Sequence, residues 1–309
     1  MITTQANTAP EPHIDAHAEA KANVAAIRPL YWSVRRELWE NRSIVIAPLA
    51  VAAVWMFAFS ISLVRLPERR SAILLLDQAR QHAAIQKPYD IAAIVFIANA
   101  FIVGVFYCLD ALHGERRDRS ILFWKSLPVS DRTTVLAKAS IPLGVLPLLV
   151  FAVTAVTQLI MLAMTTVVLF MSGLGGATSV HWAFFEQSLI LLYGLVVLAL
   201  WHAPLYGWLL LISAWSRRAT FLWAVLPPLA VAVLEKIALG SKHFLSMLAH
   251  RFLGHVPLAF DTHAGHEIDS VAQLTPGNFI ATPGLWIGLL FTGAFLAGAI
   301  RLRRERGPI

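Results

Sequence analysis

Long apolar blocks without charged residues dominate this chain. Residues 44–64 contain no charged side chain, and residues 91–109 form a second such block between Asp90 and Asp110. No acidic or basic residue occurs between Lys138 and Glu186. A helix that crosses a bilayer needs about 20 mostly apolar residues, because its backbone polar groups must be satisfied within hydrocarbon. The pattern therefore predicts membrane-spanning helices.

The fold class predicted from these blocks is an all-α integral membrane protein with six transmembrane helices, preceded by an amphipathic interfacial helix. The six spans are predicted at residues 44–64, 91–109, 141–171, 188–212, 219–239 and 285–300. They form one transmembrane domain over residues 44–309, with a turn at Gly173–Gly176 between spans three and four. Pro204 predicts a bend in span four, the Pro227–Pro228 pair predicts a bend or break in span five, and Pro142 marks either a first turn or a break.

Residues 29–43 carry a different pattern, in which apolar and polar side chains fall on opposite sides of a helix. The apolar side holds Leu30, Tyr31, Val34 and Leu38, the polar side holds Ser33, Arg36, Glu37 and Glu40, and Trp32 and Trp39 lie at the border. Such a helix is expected to lie along the membrane surface, with its tryptophans at headgroup depth. The alternative is a helical extension of the first span. Residues 1–28 are polar and lack an apolar core segment, so we expect a disordered cytoplasmic tail and no cleavable signal peptide.

The charge distribution agrees with membrane topology. Only 14% of the residues are charged and the mean hydropathy is +0.66. With a cytoplasmic N-terminus, 17 of the 25 lysines and arginines fall on the cytoplasmic side, as the positive-inside rule requires. The exception is segment 65–90, which carries five. We therefore expect a multi-pass protein of the bacterial inner (plasma) membrane with both termini in the cytoplasm, and the net charge of +7 does not indicate nucleic-acid binding.

Catalytic signatures are not found in the sequence. The single cysteine, Cys108, excludes an intrachain disulfide. Neither a GxxxxGK[ST] phosphate loop nor a Gly-x-Ser-x-Gly elbow occurs, so we expect no enzyme activity and no cofactor in this chain alone. His263, His266 and Glu267 in the external loop 240–283 are weak metal-ligand candidates, and solvated loop histidines are the preferred interpretation. This loop is apolar enough to include short helices that dip into the membrane.

Three polar residues inside predicted spans are candidates for a translocation path, namely Asn99, Gln158 and His202. Hydrogen bonding between helices is the preferred interpretation of each one singly. At the outer end of span five, Glu235 is expected to form an interfacial ion pair, with Lys236 beside it.

The segment between spans two and three concentrates charged and aromatic residues. Residues 115–131 read ERRDRSILFWKSLPVSD. The charged residues can form charge-assisted bonds to a partner, and the run Ile121–Trp124 is bulky and apolar. Pro128 is expected to end this element and Asp131 to cap the next helix. Without further information, Phe123 and Trp124 could equally be anchored among lipid headgroups.

This segment resembles the corresponding segment of permease subunits of ABC exporters of the ABC-2 type. The resemblance extends to residues 204–208, 213–218 and 226–228 with Glu235, and it covers most of the chain after residue 29. It implies that the segment includes a coupling helix that docks in a groove of a separate ATPase subunit. The residues that it assigns to this coupling are Glu115, Arg116, Arg117, Asp118, Arg119, Phe123, Trp124 and Lys125.

The resemblance further implies a complex of two ABC ATPase subunits, which hold ATP and Mg, with this chain and a second permease copy or paralogue in membrane lipid. Three alternatives remain open at this stage. They are an ion-coupled secondary transporter, a sensory permease-like subunit and, less favoured, a membrane metallohydrolase. The transported substrate is not indicated by the sequence.

Overall fold

The computed structural model describes residues 29–64, 78–126, 129–171, 180–261, 268, 270–307 and 309, and in this part no strand forms. The first half contains α1 (29–40), α2 (Ser43–Leu63), α3 (Gln78–Ala111), α4 (His113–Arg117), α5 (Ser120–Ser126), α6 (Asp131–Ser140) and α7 (Leu146–Met171). The second half contains α8 (Val180–Trp215), α9 (Thr220–Leu239), α10 (His243–Leu253), α11 (Val256–Ala259), α12 (Pro276–Ala281) and α13 (Pro283–Glu305). The predicted tail 1–28, the turn Gly173–Gly176 and the metal candidates His263, His266 and Glu267 lie outside the described residues.

Six helical stretches are long and apolar enough to cross a membrane. They are Ser43–Leu63, Gln86–Arg117, Asp131–Val168, Phe184–Trp215, Thr220–Leu239 and Pro283–Glu305. The number of apolar helices and their order therefore confirm the all-α prediction with six span-like helices. The observed first helix begins and ends one residue before its predicted span, and the fifth begins one residue after its predicted span and ends where predicted.

The second, third and fourth helices begin well before their predicted spans. The third span was predicted from residue 141, but the helix begins at Asp131 and carries Lys138 in its interior. This charge is tolerated because Lys138 lies between two buried carboxylates. At the opposite end of the bundle, Gln187 donates to Asp90 and accepts from Gln86, so polar residues of α3 and α8 satisfy one another. A charge or amide thus does not end a helix when it finds a partner on a neighbouring helix.

The prolines leave the helices unbroken. Ile141–Val145 forms a single π-helical turn between α6 and α7, so the helical backbone runs on through Pro142. One helix runs through Pro204 and another through Pro227 and Pro228. The predicted break in span five is therefore wrong. Packing against neighbouring helices stabilises such helices even where proline removes a backbone hydrogen bond.

The helix α8 is the centre of the bundle. It packs along α13 and α3, while α2 and α7 pack against α3 and each other. The main apolar core is formed where these helices meet, around the fully buried Phe96, Ile141 and Leu210. A second, smaller cluster joins Trp201 of α8 to Phe260, Phe279 and Leu285, and holds the short helices α11 and α12 against the opposite end of the bundle.

Two helices at the perimeter, α2 and α9, expose most of their apolar side chains. On α2, Val54 and Phe57 are each 70% exposed, and on α9 Ile237 is 78% exposed. Monomeric soluble proteins rarely leave apolar surface of this extent uncovered, and a bilayer is the solvent in which it is favourable.

The helix α1 is a separate element, because Asn41 and Arg42 divide it from α2. Its polar residues Ser33 and Glu37 are buried against the bundle, and Val34 and Leu38 pack partly against the core. Tyr31, Trp32 and Trp39 point outward with more than half of their surface exposed. Hence α1 is a separate element from α2. The predicted apolar and polar sides are not on opposite faces, because Ser33 and Glu37 face the bundle together with Val34 and Leu38, while the outward face is aromatic.

Candidate functional site

One end of the bundle gathers α1, the first residues of α2 and α6, and the last residues of α3, α8 and α13. We call it the charged end. The Arg303 guanidinium of α13 donates to Asp131 of α6 over 3.1 Å, and Arg116 donates to the Ala214 carbonyl of α8 over 2.8 Å. The last residue, Ile309, donates its backbone N–H to the Arg116 carbonyl. Both ends of the described chain therefore lie at the charged end.

A hook of two short helices projects from this end. It consists of residues 113–126, which form α4 and α5. The backbone of Asp118 closes α4 by donating to the Gly114 carbonyl, and Arg119 adopts a positive φ of 58° between the two helices. Left-handed backbone is unfavourable for an arginine and reverses the chain direction sharply. The hook is therefore a turned structure rather than a continuation of α3.

The root of the hook is anchored by a buried carboxylate. Glu115 is 8% exposed and accepts a short hydrogen bond from Arg303 of α13. Its other oxygen lies 3.1 Å from the Lys138 ammonium nitrogen of α6 and 3.6 Å from the Arg36 guanidinium of α1. Glu115 thereby joins the hook to three other helices.

A second carboxylate, Glu37 of α1, completes the buried ion cluster. It is fully buried, and its two oxygens accept from Lys138 over 2.9 and 3.0 Å. Tyr107 of α3 donates its hydroxyl to Glu37 over 2.9 Å, and Arg36 donates to the other oxygen. With Arg303 and its partner Asp131, the cluster has three cations and three carboxylates, so its formal charges balance.

This balance explains why the cluster can be buried. An ionised group in a low-dielectric interior loses several kcal/mol of hydration, which only close partners and further hydrogen bonds offset. Lys138 is 2% exposed and still contacts two carboxylates. A shift of α1 away from the bundle would remove Glu37 from Lys138, so the positions of α1 and the hook are mechanically linked.

Next to the cluster, Arg116 holds the hook against the end of α8. Its guanidinium donates to the carbonyls of Ala214 and Ser216, over 2.8 and 3.2 Å. The last carbonyls of a helix have no partner within the helix and carry the negative end of its dipole, so a cation is favourable there. The Ser213 hydroxyl accepts from the backbone N–H groups of Leu112 and His113 on the other side of the same contact.

The tip of the hook is apolar and exposed. Leu122 and Phe123 are 59% and 60% exposed, whereas the adjacent Ile121 is buried. Trp124 is half-buried, because the Arg36 guanidinium of α1 lies 3.9 Å above its ring and Phe123 packs against its edge. Trp124 therefore anchors α5 to α1, and Leu122 with Phe123 forms the surface that is free to contact another molecule.

The remaining charged residues of the hook surround this tip. Arg117, Asp118, Arg119 and Lys125 are exposed. Arg117 forms surface ion pairs with Asp110 and Asp118, and Lys125 lies 3.4 Å from the carbonyls of Arg304 and Arg306. Surface pairs of this kind are weak, so the side chains can exchange their partners for those of a docking protein.

The residues assigned to coupling thus separate into two groups. Glu115 and Arg116 are buried and use their bonding capacity within this chain. Arg117, Asp118, Arg119, Phe123 and Lys125 are exposed, and Trp124 lies between the groups. Whether the exposed group contacts an ATPase stays a prediction at this point.

The helix after the hook, α6, is capped by Ser130 rather than by Asp131. The Ser130 hydroxyl accepts from the backbone N–H of Thr133 over 3.1 Å, which is the usual N-cap contact. Asp131 occupies the first turn and pairs with Arg303. The predicted capping role of Asp131 is therefore wrong, because its carboxylate is engaged by the buried ion cluster.

The three polar residues predicted for a translocation path lie in different surroundings. Gln158 of α7 is buried and donates to the Tyr89 carbonyl of α3, which is a bond between helices. The Asn99 amide nitrogen is buried without a partner. His202 contacts the Leu198 carbonyl of its own helix, and its ring packs against Phe101, Phe252 and His255.

Glu235 caps a helix instead of pairing with a cation of α9. It accepts from the Ser241 hydroxyl and from the backbone N–H groups of His243 and Phe244, at the first turn of α10. One Glu235 oxygen also lies 3.4 Å from Nδ1 of His243, a contact that is an ion pair when this imidazole is protonated, so the helix N-terminal contact accompanies the expected pair. Within the described residues, no group of three or more histidine, cysteine, aspartate or glutamate side chains could hold a metal ion.

Sequence reasoning missed the residues that anchor the hook. Glu37, Lys138 and Arg303 come from three distant parts of the chain, and Tyr107 lies in an apolar block. Glu37 lies on the polar side of the pattern in residues 29–43, and Lys138 precedes the predicted third span, so neither residue stands out as a buried charge in the sequence.

Comparison with known proteins identifies none that is similar to this chain. No family model matches the sequence, and searches among curated proteins and among solved structures also find no match. What the site does must therefore be inferred from the chemistry of its own residues.

Proposed function

We propose that this chain is the membrane-spanning permease subunit of an ATP-driven exporter of the ABC-2 type. The observation that carries the proposal is the hook, whose root is fixed by buried charges while Leu122 and Phe123 at its tip are exposed. A segment that receives mechanical work must contact its partner at one end and be rigidly attached to the moving helices at the other. The resemblance of residues 115–131 to ABC-2-type permeases supports the same assignment.

The apolar perimeter supports the membrane location. The six long helices and the exposed faces of α2 and α9 fit a multi-pass protein in lipid. We place the charged end in the cytoplasm of a bacterial cell, because most lysines and arginines flank the spans there. Outward-facing Trp32 and Trp39, with the Arg35 guanidinium over both rings, suit the headgroup region of that leaflet.

The mechanism follows from the attachment of the hook. Two ATPase subunits hold ATP and Mg and close on nucleotide binding, and each pushes on the hook of one permease. Because Glu115 connects the hook to Lys138 of α6 and Arg303 of α13, the displacement is transmitted to two spanning helices and to α1. The two permeases then alternate between inward- and outward-open arrangements around a path between them.

The test is the exchange of the exposed tip for alanine. The double substitution Leu122→Ala with Phe123→Ala leaves the buried anchor intact, and it should abolish co-purification of an ATPase subunit from native membranes in mild detergent. ATP hydrolysis measured on the purified complex should fall in parallel, whereas the purified chain alone should hydrolyse no ATP. A loss of roughly 2–4 kcal/mol is expected for two apolar anchors in a docking groove.

A matched control uses two exposed apolar residues elsewhere. Val54→Ala with Phe57→Ala removes similar side chains from α2, away from the hook. This control should retain the ATPase subunit. Equal hydrolysis by the hook variant and the wild-type complex, or the lack of any nucleotide-hydrolysing partner in native membranes, would contradict the proposal.

A further inference from the structure

A cationic side chain is inserted between helices at the end of the bundle opposite the hook. Arg251 of α10 reaches between α8 and α13, where its guanidinium lies 4.5 Å above the Trp201 ring. On α13, Gly288 next to it precedes Arg303 by 15 residues, which corresponds to about 22 Å along a helix. Hydrocarbon is about 30 Å thick, so Arg251 lies within the outer half of the proposed membrane domain.

The guanidinium of Arg251 is only partly satisfied by the protein. Nη1 donates to the Gly284 carbonyl over 3.0 Å, while Nε and Nη2 are buried and have no hydrogen-bond partner among the described residues. No carboxylate forms an ion pair with Arg251 in the part of the chain that the structure describes. By contrast, every cation of the ion cluster at the charged end has a carboxylate oxygen of the cluster within 3.1 Å.

Two further polar atoms around Arg251 are buried without a partner. They are Nε1 of Trp201, whose ring the guanidinium covers, and Nδ1 of His255. The His255 ring lies 5.5 Å from that of His202 between centroids.

A purely structural role accounts for the hydrogen bond to Gly284 and the cation–π contact with Trp201, and leaves Nε and Nη2 of Arg251 unexplained. Fastening α10 to the first turn of α13 needs one N–H, which Nη1 supplies. Arginine has five N–H groups in a planar fork that matches an oxyanion, and a buried cation without an anion is unfavourable by several kcal/mol. The chemistry that would satisfy these atoms is a single carboxylate or phosphate group.

The surroundings of the fork favour an amphipathic ligand. Phe101 and Phe252 pack around His202 beside the site, and no residue of α10 is buried. Met247 lies one helical turn before Arg251 on the same side of α10 and is 60% exposed, so this side of the helix offers apolar surface next to the arginine. A headgroup bound at Arg251 would thus leave its apolar chain against α10.

We propose that Arg251, with Trp201 and His255, binds the oxyanion headgroup of an amphipathic molecule in the outer half of the membrane domain. As a substrate site it rests on the exporter function proposed above, whereas binding itself needs only this chain. The substrate class that it assigns is an anionic amphiphile such as a fatty-acid-like carboxylate or a phosphorylated lipid-like chain.

Gly288 allows a second, independent test of the site. A Cβ at this position would overlap Nη2 of Arg251, so Gly288→Ala forces the guanidinium out of its position without removing its charge. Because Gly288 lies on α13 and not on α10, this variant keeps the charge of Arg251 and changes only the place of its guanidinium.

The test is binding by the purified full-length chain in non-ionic detergent, followed by native mass spectrometry. The probes are dodecanoate, dodecyl phosphate, uncharged dodecanol and inorganic phosphate. We expect dodecanoate, dodecyl phosphate or both to bind, and to lose about ten- to hundredfold in affinity in Arg251→Gln, as for a lost charge-assisted contact. Arg251→Lys should lose less, because it keeps the charge and loses the fork.

The matched control is Arg35→Gln, which removes another arginine that lies over tryptophan rings, at the charged end. It should bind both anionic probes as the wild type does, and Gly288→Ala should lose affinity as Arg251→Gln does. Retention of binding in a folded Arg251→Gln variant would overturn the proposal. So would binding of dodecanol as tight as that of dodecanoate, or of inorganic phosphate as tight as that of dodecyl phosphate.

These outcomes are separate from those of the hook experiment. The binding measurement needs neither nucleotide nor an ATPase subunit. A chain that binds dodecanoate through Arg251 but recruits no ATPase would support the site and contradict the exporter function. A chain that recruits an ATPase but binds neither anionic probe would support the exporter function and contradict the site.

Discussion

Lys138 is the residue on which the charged end depends. Its ammonium group lies within 3.1 Å of two carboxylates, Glu37 and Glu115, which are 0% and 8% exposed. Apolar residues of similar volume can often replace a whole buried ion cluster, but removal of one member leaves the others unpaired in a low dielectric. The cluster is thus sensitive to substitutions that remove a single charge, and tolerant of those that remove a cation and a carboxylate together.

Replacement of Lys138 by methionine should lower the free energy of unfolding by about 3–5 kcal/mol, because two carboxylates then remain buried with one cation fewer. The measurement can use Cys108, which is buried and reacts with a thiol-specific dye only when the chain unfolds on heating. Lys125→Met is the matched control, since Lys125 is exposed and forms no ion pair in the described residues. A melting temperature of Lys138→Met equal to that of the control would show that the cluster adds nothing to stability. Glu37→Gln added to Lys138→Met should restore part of the loss.

At the scale of single elements, each end of the bundle carries short helices that are held by a few polar contacts. The hook depends on Glu115 and Arg116, and α10 depends on Glu235 at its first turn and on Arg251 near its last. Neither element buries enough apolar surface to be stable alone, since isolated helices of this length are marginal in water. Both therefore follow any movement of the spanning helices to which they are attached.

The start of α6 provides a test of one such contact. Ser130→Ala removes the N-cap acceptor for the Thr133 N–H, and the free energy of unfolding should fall by about 1 kcal/mol. Ser126→Ala is the matched control, because its exposed hydroxyl bonds only to the Phe123 carbonyl within α5. The same Cys108 assay can measure both variants. An equal effect of the two substitutions would show that Ser130 does not act as a cap.

For the whole molecule, the decisive property is that the two ends of the bundle differ in chemistry. One end holds the balanced ion cluster and the hook, and the other holds Arg251 with two histidines among aromatic rings. Pro29 and Ile309 lie at the same end of the bundle, as expected for six span-like helices in the described residues, and the bond from Ile309 to Arg116 agrees with that arrangement.

Orientation can be tested with single cysteines in a Cys108→Ala background. The hook variant Phe123→Cys should resist a membrane-impermeant maleimide in intact cells and react after permeabilisation, because we place the hook in the cytoplasm. Lys242→Cys, which precedes α10 at the other end, should react in intact cells. Labelling of Phe123→Cys from outside would reverse the topology and remove the hook from reach of any cytoplasmic ATPase.

The sequence by itself determined which segments are helical and apolar, and how many there are. Transfer of side chains into hydrocarbon is close to additive along the chain, so a run of apolar residues is sufficient to identify a span without knowledge of its neighbours. The first and fifth spans were accurate for this reason, since each is apolar and exposed nearly all round. The sequence also singled out the hook, because charged and aromatic residues are concentrated there.

Only the tertiary structure decided which of the charged residues are anchors and which are free. Glu37 and Lys138 are 101 residues apart, and Glu115 and Arg303 are 188 residues apart. The energy of a charge depends on which partner lies within a few ångströms, and a local pattern carries no information about that distance. For the same reason, the sequence placed the start of α6 too late and gave no indication that Arg251 is inserted beside Trp201.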